Sequence, residues 1–284
     1  MSEENGQTMT FWDHLDELRK VIFRSVIVVA VVAALAFIYK EFIFGIVFAP
    51  HRSDFITYRL LCQLGNSLNM PSLCPDDFQV DLINTELTAQ FMTHMSMALY
   101  AGMVVASPYL IYLLFRFISP ALYESERKYS AQVIIASFFL FIIGVLLNYY
   151  VIFPLSFRFL GTYQVSEFVV NKISLSSYIS TFTMLSIMMG AVFEIPVLAF
   201  FLGKMGIINT GTLKQYRRHA FVAISIVAAI ITPTADIFTL LLVTIPMYML
   251  YELSIVVVKR ATRKTAASPN STTSSEEYEN PYHY

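Results

Sequence analysis

Apolar residues gather along this chain in long runs rather than in the one-faced or alternating patterns of soluble folds. The runs cover roughly 21–39, 88–115, 131–153, 178–203 and 219–258. A hydrocarbon core about 30 Å thick is crossed by roughly 20 helical residues rising about 1.5 Å each. Four of the runs therefore predict one crossing apiece, and the last is about twice too long for one. Inside it, "ITPTADIF" supplies Pro233, the restricted backbone of Thr232 before it and a charge at Asp236, the chemistry of a turn at a membrane surface. The run divides into helices near 219–232 and 237–258. The fold class predicted is an all-α polytopic membrane protein with six transmembrane helices, the fifth and sixth short. The fifth, at about 14 residues or roughly 21 Å, must thin the bilayer or lean on longer neighbours.

Polar positions fix the direction of these spans. With six crossings, Arg19, Lys20, Arg24, Arg116, Arg127, Lys128, Lys204, Lys214, Arg217, Arg218, Lys259, Arg260, Arg263 and Lys264 share one side. Lys40, Arg52, Arg59, Arg158 and Lys172 share the other. Basic residues favour the cytoplasmic side, so both termini are predicted there. An odd number of spans would mix the two sets.

The segments between spans carry their own patterns. Before the first span, "TFWDHLDELRKVI" places Phe11, Leu15, Leu18 and Ile22 on one helical face, with Thr10 and Asp13 in capping positions. Residues 10–20 are read as an amphipathic arm at the cytoplasmic surface, Trp12 serving as an interfacial anchor. The outside loop, roughly 40–87, is long enough to expect internal structure, and "FQVDLINTEL" suits a short extended piece. It holds both cysteines, Cys62 and Cys74, which either close a disulfide on an oxidising side or remain free thiols. From about residue 265 to 284 the composition is Ser, Thr, Asn, Glu and Tyr without apolar periodicity, a disordered cytoplasmic tail behind a single membrane domain spanning 1–264.

Composition agrees: 56% of residues are hydrophobic and 14% charged, against about 25% charged in a soluble domain. The first residues lack a basic n-region and a cleavage site, so the first span is expected to be retained. The basic residues follow topology and build no separate patch, which argues against nucleic-acid binding. The five histidines form no HExxH and no serine sits in a GxSxG elbow, so no enzymatic chemistry, metal or cofactor is indicated. His94, within the second span, is read as a hydrogen-bonded core histidine.

Seven stretches, in order from about residue 9 to 260, together resemble one family. They are "FWDHLDELRK", "FAP", "FISPALYESERK", "NYYVIFPLSF", "FEIP", "YRRHAFV" and "ITPTAD…IPMYMLYELSI". The resemblance is to TatC, the multispanning receptor subunit of the twin-arginine protein translocase. It implies a non-enzymatic protein of the bacterial inner membrane that exports folded proteins with twin-arginine signal peptides, using the proton-motive force. The implied complex includes single-span subunits of the TatA and TatB type.

The resemblance also implies roles for residues. An arginine side chain is a permanently charged planar fork that pairs best with a carboxylate. Reading two arginines needs two carboxylates, and Glu17 in the arm and Glu126 in the first cytoplasmic loop match the family's acidic positions. Arg19 positions Glu17 or the loop, and Phe117, Pro120, Leu122 and Tyr123 shape the loop against the signal's apolar part. The bland alternative is that Arg127 and Lys128 neutralise Glu126 locally. Glu194 stands in an apolar span, where an acidic residue costs about 2.5–3.5 kcal/mol unless it faces a partner or water. The family has a glutamate there for hydrogen bonding to partner spans or the signal; packing against a neighbouring helix is the alternative. Tyr149, Pro50 and Asp236 match family positions as well, although "TPTAD" is one residue longer than the Thr-Pro-Pro-Asp of some members. A proton-coupled secondary transporter using Glu194 and Asp236 is the competing reading, against which no inverted repeat is found.

Overall fold

The protein is described by a computed structural model over residues 11–70, 74, 80–118, 130–166, 168, 171–234 and 236–266. Its chain is a succession of long helices: α1 (Phe11–Ile38), α2 (Lys40–Val47), α3 (Ile56–Ser67), α4 (Ala89–Ile118), α5 (Ser130–Leu147), α6 (Phe153–Thr162), α7 (Leu175–Val192), α8 (Ile195–Lys204), α9 (Thr210–Gln215), α10 (Arg217–Ile231) and α11 (Ile237–Ala266). Strands β1 (Asp81–Ile83) and β2 (Lys172–Ser174) pair in parallel, Asp81 opposite Lys172. Five helical stretches among the described residues are long and apolar enough to cross a membrane: 14–38, 89–117, 131–162, 175–204 and 237–262.

Several expectations change. The helix expected to carry the sixth span is not short: α11 runs 30 residues, of which 237–262 is apolar enough to cross a membrane, because nothing in "KRATRKTA" breaks a helix once it leaves the apolar run. Helix α10, at the place expected for the fifth, has 15 residues and is not among the five stretches long and apolar enough to cross a membrane. The arm is not a separate piece, since α1 is continuous from Phe11 to Ile38. Helix α11 also passes the expected start of the tail at 265, and residues 267–284 lie outside the described residues. Loop 40–87 folds into α2, a 3₁₀ turn (Ala49–His51), α3 and β1, the last within the segment expected to extend.

Prolines set the bends, and neighbours take up the backbone groups they free. Proline lacks an N–H, so it leaves the carbonyl four residues earlier without its helical partner. Pro108 frees the Val104 carbonyl, which receives the Ser107 hydroxyl at 2.7 Å. A π-helical turn (Asn148–Ile152) joins α5 to α6, and there Pro154 frees the Tyr150 carbonyl, to which the Thr57 hydroxyl of α3 donates. Pro196 stops α7 from continuing, and residues 193–194 turn before α8 begins. Ser174 caps α7, its hydroxyl accepting from the Ser177 N–H at 3.2 Å.

Two clusters form most of the core. One gathers Leu185, Met189, Ala228, Val243 and Met247 where α7, α10 and α11 meet. The other gathers Val47, Val80, Met97, Phe153, Tyr178 and Phe182 where the loop segments, α4, α6 and α7 converge. Helix α1 lies along α4, with backbones close enough at Gly102 that an added Cβ would meet Ala33 at 2.9 Å. Helices α5 and α7 cross just as tightly at Gly144, where a Cβ would lie 2.6 Å from the Met189 carbonyl oxygen.

Candidate functional site

Three polar regions result from this packing: one at the arm end of the molecule, one within the spans and one at the β1–β2 end.

At the arm end, His14 of α1 stacks on Phe117 of α4, with centroids 4.3 Å apart and planes 23° apart. Glu17 follows His14 by three residues and so falls on the same side of α1. Its Oε2 is 3.8 Å from Lys20 Nζ, and Lys20, not Arg19, is its charged neighbour. Lys20 is 62% exposed and Glu17 33%, so the pair is worth about 0–1 kcal/mol and opens readily to a competing cation. Arg19 is exposed. Helix α4 carries the chain directly into the loop that holds Pro120, Leu122, Tyr123 and Glu126. Those four lie outside the described residues. Across the same end, Arg217 pairs with Glu252 at 2.6 Å, and the Tyr248 hydroxyl donates to the other oxygen of that carboxylate at 3.3 Å.

Within the spans, Glu194 occupies the turn between α7 and α8, and its Oε2 accepts the Ser137 hydroxyl of α5. Its Oε1 is buried without a partner among the described residues. The pair follows from local causes. Pro196 opens the helix at 193–194, and the close crossing at Gly144, two turns along α5 from Ser137, lets the short serine reach. Asn148, fully buried in the π turn, donates to Ser186 on α7 at 2.7 Å. His94 meets its expectation: its Nε2 lies 3.1 Å from the Phe37 carbonyl at the end of α1, and its ring stacks on Phe37.

At the β1–β2 end, Pro50 and Tyr149 enter one cap. Tyr58, fully buried, directs its hydroxyl to the carbonyls of Pro50 and Pro154, each at 3.0 Å. Burial pushes that phenol's pKa well up, partly offset by the nearby Arg158, so it serves as a neutral donor. Tyr149 donates to the Ile46 carbonyl at 2.9 Å, and Tyr178 to that of Val47 at 2.8 Å. His51 Nε2 lies 2.6 Å from the Val80 carbonyl. Cys62 and Cys74 are joined as a disulfide. Asp236 caps α11, its Oδ1 accepting the Thr239 N–H at 2.7 Å.

The structure thus brings Glu17 and Phe117 to one end and Pro50 with Tyr149 to the other. No hydrogen bond or ion pair joins Glu194 to Asp236 among the described residues. No group of three or more potential metal ligands occurs among those residues either. Sequence reasoning passed over His14, Ser137 and the Arg217–Glu252 pair. Glu252 had a usable signal, being a carboxylate in an apolar span, whereas Ser137 had none.

Comparison with known proteins is consistent across the chain. The family described as "Sec-independent protein translocase protein (TatC)" matches residues 13–246. The sequence is 37% identical over 258 residues to the protein of that name from Blattabacterium sp. subsp. Periplaneta americana, covering 90% of this chain and 96% of the relative. It is 34% identical to that of Deinococcus radiodurans, covering 86% and 84% respectively. The fold is similar to the crystal structure of the twin arginine translocase receptor TatC, with a TM-score of 0.70 at 30% identity, covering 88% of this chain and all of that one.

Proposed function

The chain belongs to the TatC family of Sec-independent protein translocase proteins, and from that premise we propose that it is the receptor subunit that reads twin-arginine signal peptides. The reading carries two guanidinium groups to two carboxylates, Glu17 on α1 and Glu126 on the loop after α4. The observation that carries it is the stack of His14 on Phe117. It holds the turn of helix bearing Glu17 against the last residues of α4, from which the loop bearing Glu126 departs. Arg19, exposed and two residues on from Glu17, turns away from it on α1, and Phe117, Pro120, Leu122 and Tyr123 offer apolar surface to the segment that follows the arginine pair.

The topology proposed is six spans in one membrane domain with both termini in the cytoplasm, in the bacterial inner membrane. Strand pairing supports it. Two hydrogen-bonded strands must lie on the same side of a bilayer, so the chain between β1 and β2 crosses an even number of times; α4 and the α5–α6 run make two. The short α10 and the long α11 then form the last hairpin, with α10 leaning on α7 and α11 in place of spanning the full thickness. Glu194, half-satisfied by Ser137, offers its free oxygen to a partner span or to the advancing signal. Tyr149, Pro50 and Asp236 hold the outer cap and its turn. The partners are TatA- and TatB-type single-span subunits in an oligomeric complex, the energy source is the proton-motive force, and the protein does no covalent chemistry.

Photocrosslinking from position 126 to a signal peptide tests this. Crosslinks are expected with the arginine pair and not with a lysine pair, and Glu126→Ala is expected to weaken binding and abolish export of cargo. Equal capture of both peptides, or normal export by Glu126→Ala, would refute it.

A further inference from the structure

A cavity of about 250 Å³ opens at the β1–β2 end, between α6, the start of α7 and the turn before α11. Phe153, Phe157 and Leu160 form its apolar wall, and Ser156, Thr181, Thr234 and Lys172 are among its polar groups. From the chemistry of that lining we propose that the cavity binds the phosphodiester of an anionic phospholipid headgroup, from the leaflet on the strand-pair side.

Three observations carry the assignment. Ser156 is only 2% exposed, and its hydroxyl is buried with no hydrogen-bond partner among the described residues; the Thr234 hydroxyl is in the same condition. Buried hydroxyls left unpaired cost free energy, so a ligand that engages both is favoured. Second, Lys172 is the charged group among the described lining residues, with Asp81 opposite it in the strand pair. Lys172 makes no ion pair with another described residue, and no carboxylate among the described residues lines the cavity. Asp236, two residues beyond Thr234, is not among the lining residues, and its Oδ1 is taken by the Thr239 N–H. Third, Ser177, Tyr178 and Thr181 place the cavity at the first two turns of the 18-residue α7, whose N-terminus carries partial positive charge. Water alone would satisfy the two hydroxyls, but the added ammonium group and helix end call for an acceptor-rich anion. The aromatic and leucine wall beside them suits the glycerol and upper acyl carbons that a lipid phosphate brings with it.

Native mass spectrometry of the detergent-purified full chain, after incubation with phosphatidylglycerol or with phosphatidylcholine, reads the site. One retained phosphatidylglycerol is expected, with little phosphatidylcholine. The double substitution Ser156→Ala with Lys172→Gln is expected to lower that retention roughly ten-fold or more, while Lys40→Gln leaves it unchanged. Thr234→Val removes a different hydroxyl and repeats the test should the double variant not fold. Millimolar inorganic phosphate distinguishes the source: a lipid site keeps its lipid. Displacement by phosphate, equal retention by the variants, or no preference for the anionic lipid would each overturn the proposal.

Discussion

Replacing Gly144 by alanine tests whether close helix contact, rather than side-chain chemistry, holds the Glu194 region together. The added Cβ would lie 2.6 Å from the Met189 carbonyl oxygen and 3.0 Å from the Gly190 Cα. Both are backbone atoms, so no rotamer change can relieve the contact, and α5 must move away from α7. Overpacking of this kind costs about 1–3 kcal/mol. Glycine to alanine also gains up to about 1 kcal/mol from helix propensity, which would blur the reading. Gly45 supplies the control. It too is helical, in α2, and a Cβ there meets nothing within 4 Å. The propensity gain is common to both substitutions and drops out of their difference. Gly45→Ala is expected to stabilise slightly, and Gly144→Ala to lie about 1–3 kcal/mol below it in denaturant unfolding followed by far-UV circular dichroism. Ser137 lies on α5 and Glu194 in the turn that ends α7, so Gly144→Ala is also expected to part them and reduce export. Equal stability of the two variants would refute the packing argument.

Two further substitutions address the ends of the molecule. His14→Ala removes a ring contact worth about 0.5–1.5 kcal/mol, so affinity for a twin-arginine peptide is expected to fall roughly two- to ten-fold, and His14→Phe to restore it. Equal weakness of the phenylalanine variant in fluorescence-anisotropy binding would sever the stack from recognition. Tyr58→Phe deletes the one donor shared by the Pro50 and Pro154 carbonyls and is expected to cost about 1–3 kcal/mol in the same unfolding measurement; no loss would mean the cap stands without it.

The spans were legible because run length against bilayer thickness is a coarse constraint that tertiary contacts do not override. Their ends were not. Nothing in the apolar pattern told that "VIFPLSF" continues as helix to Thr162 through a π turn, since the compensation for Pro154 comes from Thr57, far away in sequence. The end of α11 was hidden for a related reason: a charged stretch ends an apolar run but not a helix. Of the candidate site, the acids were visible because charge in an apolar context is rare. Their partners were hidden, Ser137 standing 57 residues from Glu194 with no local feature to connect them. The cap residues lay between these cases: Pro50 and Tyr149 could be named, but not the Tyr58 hydroxyl or the Ile46 carbonyl they engage.

The parallel pairing of β1 with β2 bears on how the molecule is made. Asp81 cannot meet Lys172 until ribosomal synthesis has passed residue 172 and, on the proposed topology, the two intervening crossings have been threaded. The first loop must therefore wait, with one ladder edge open, while some ninety further residues are inserted. On the proposed topology, closure of that ladder follows the placement of the first three spans and records it in three pairs of residues.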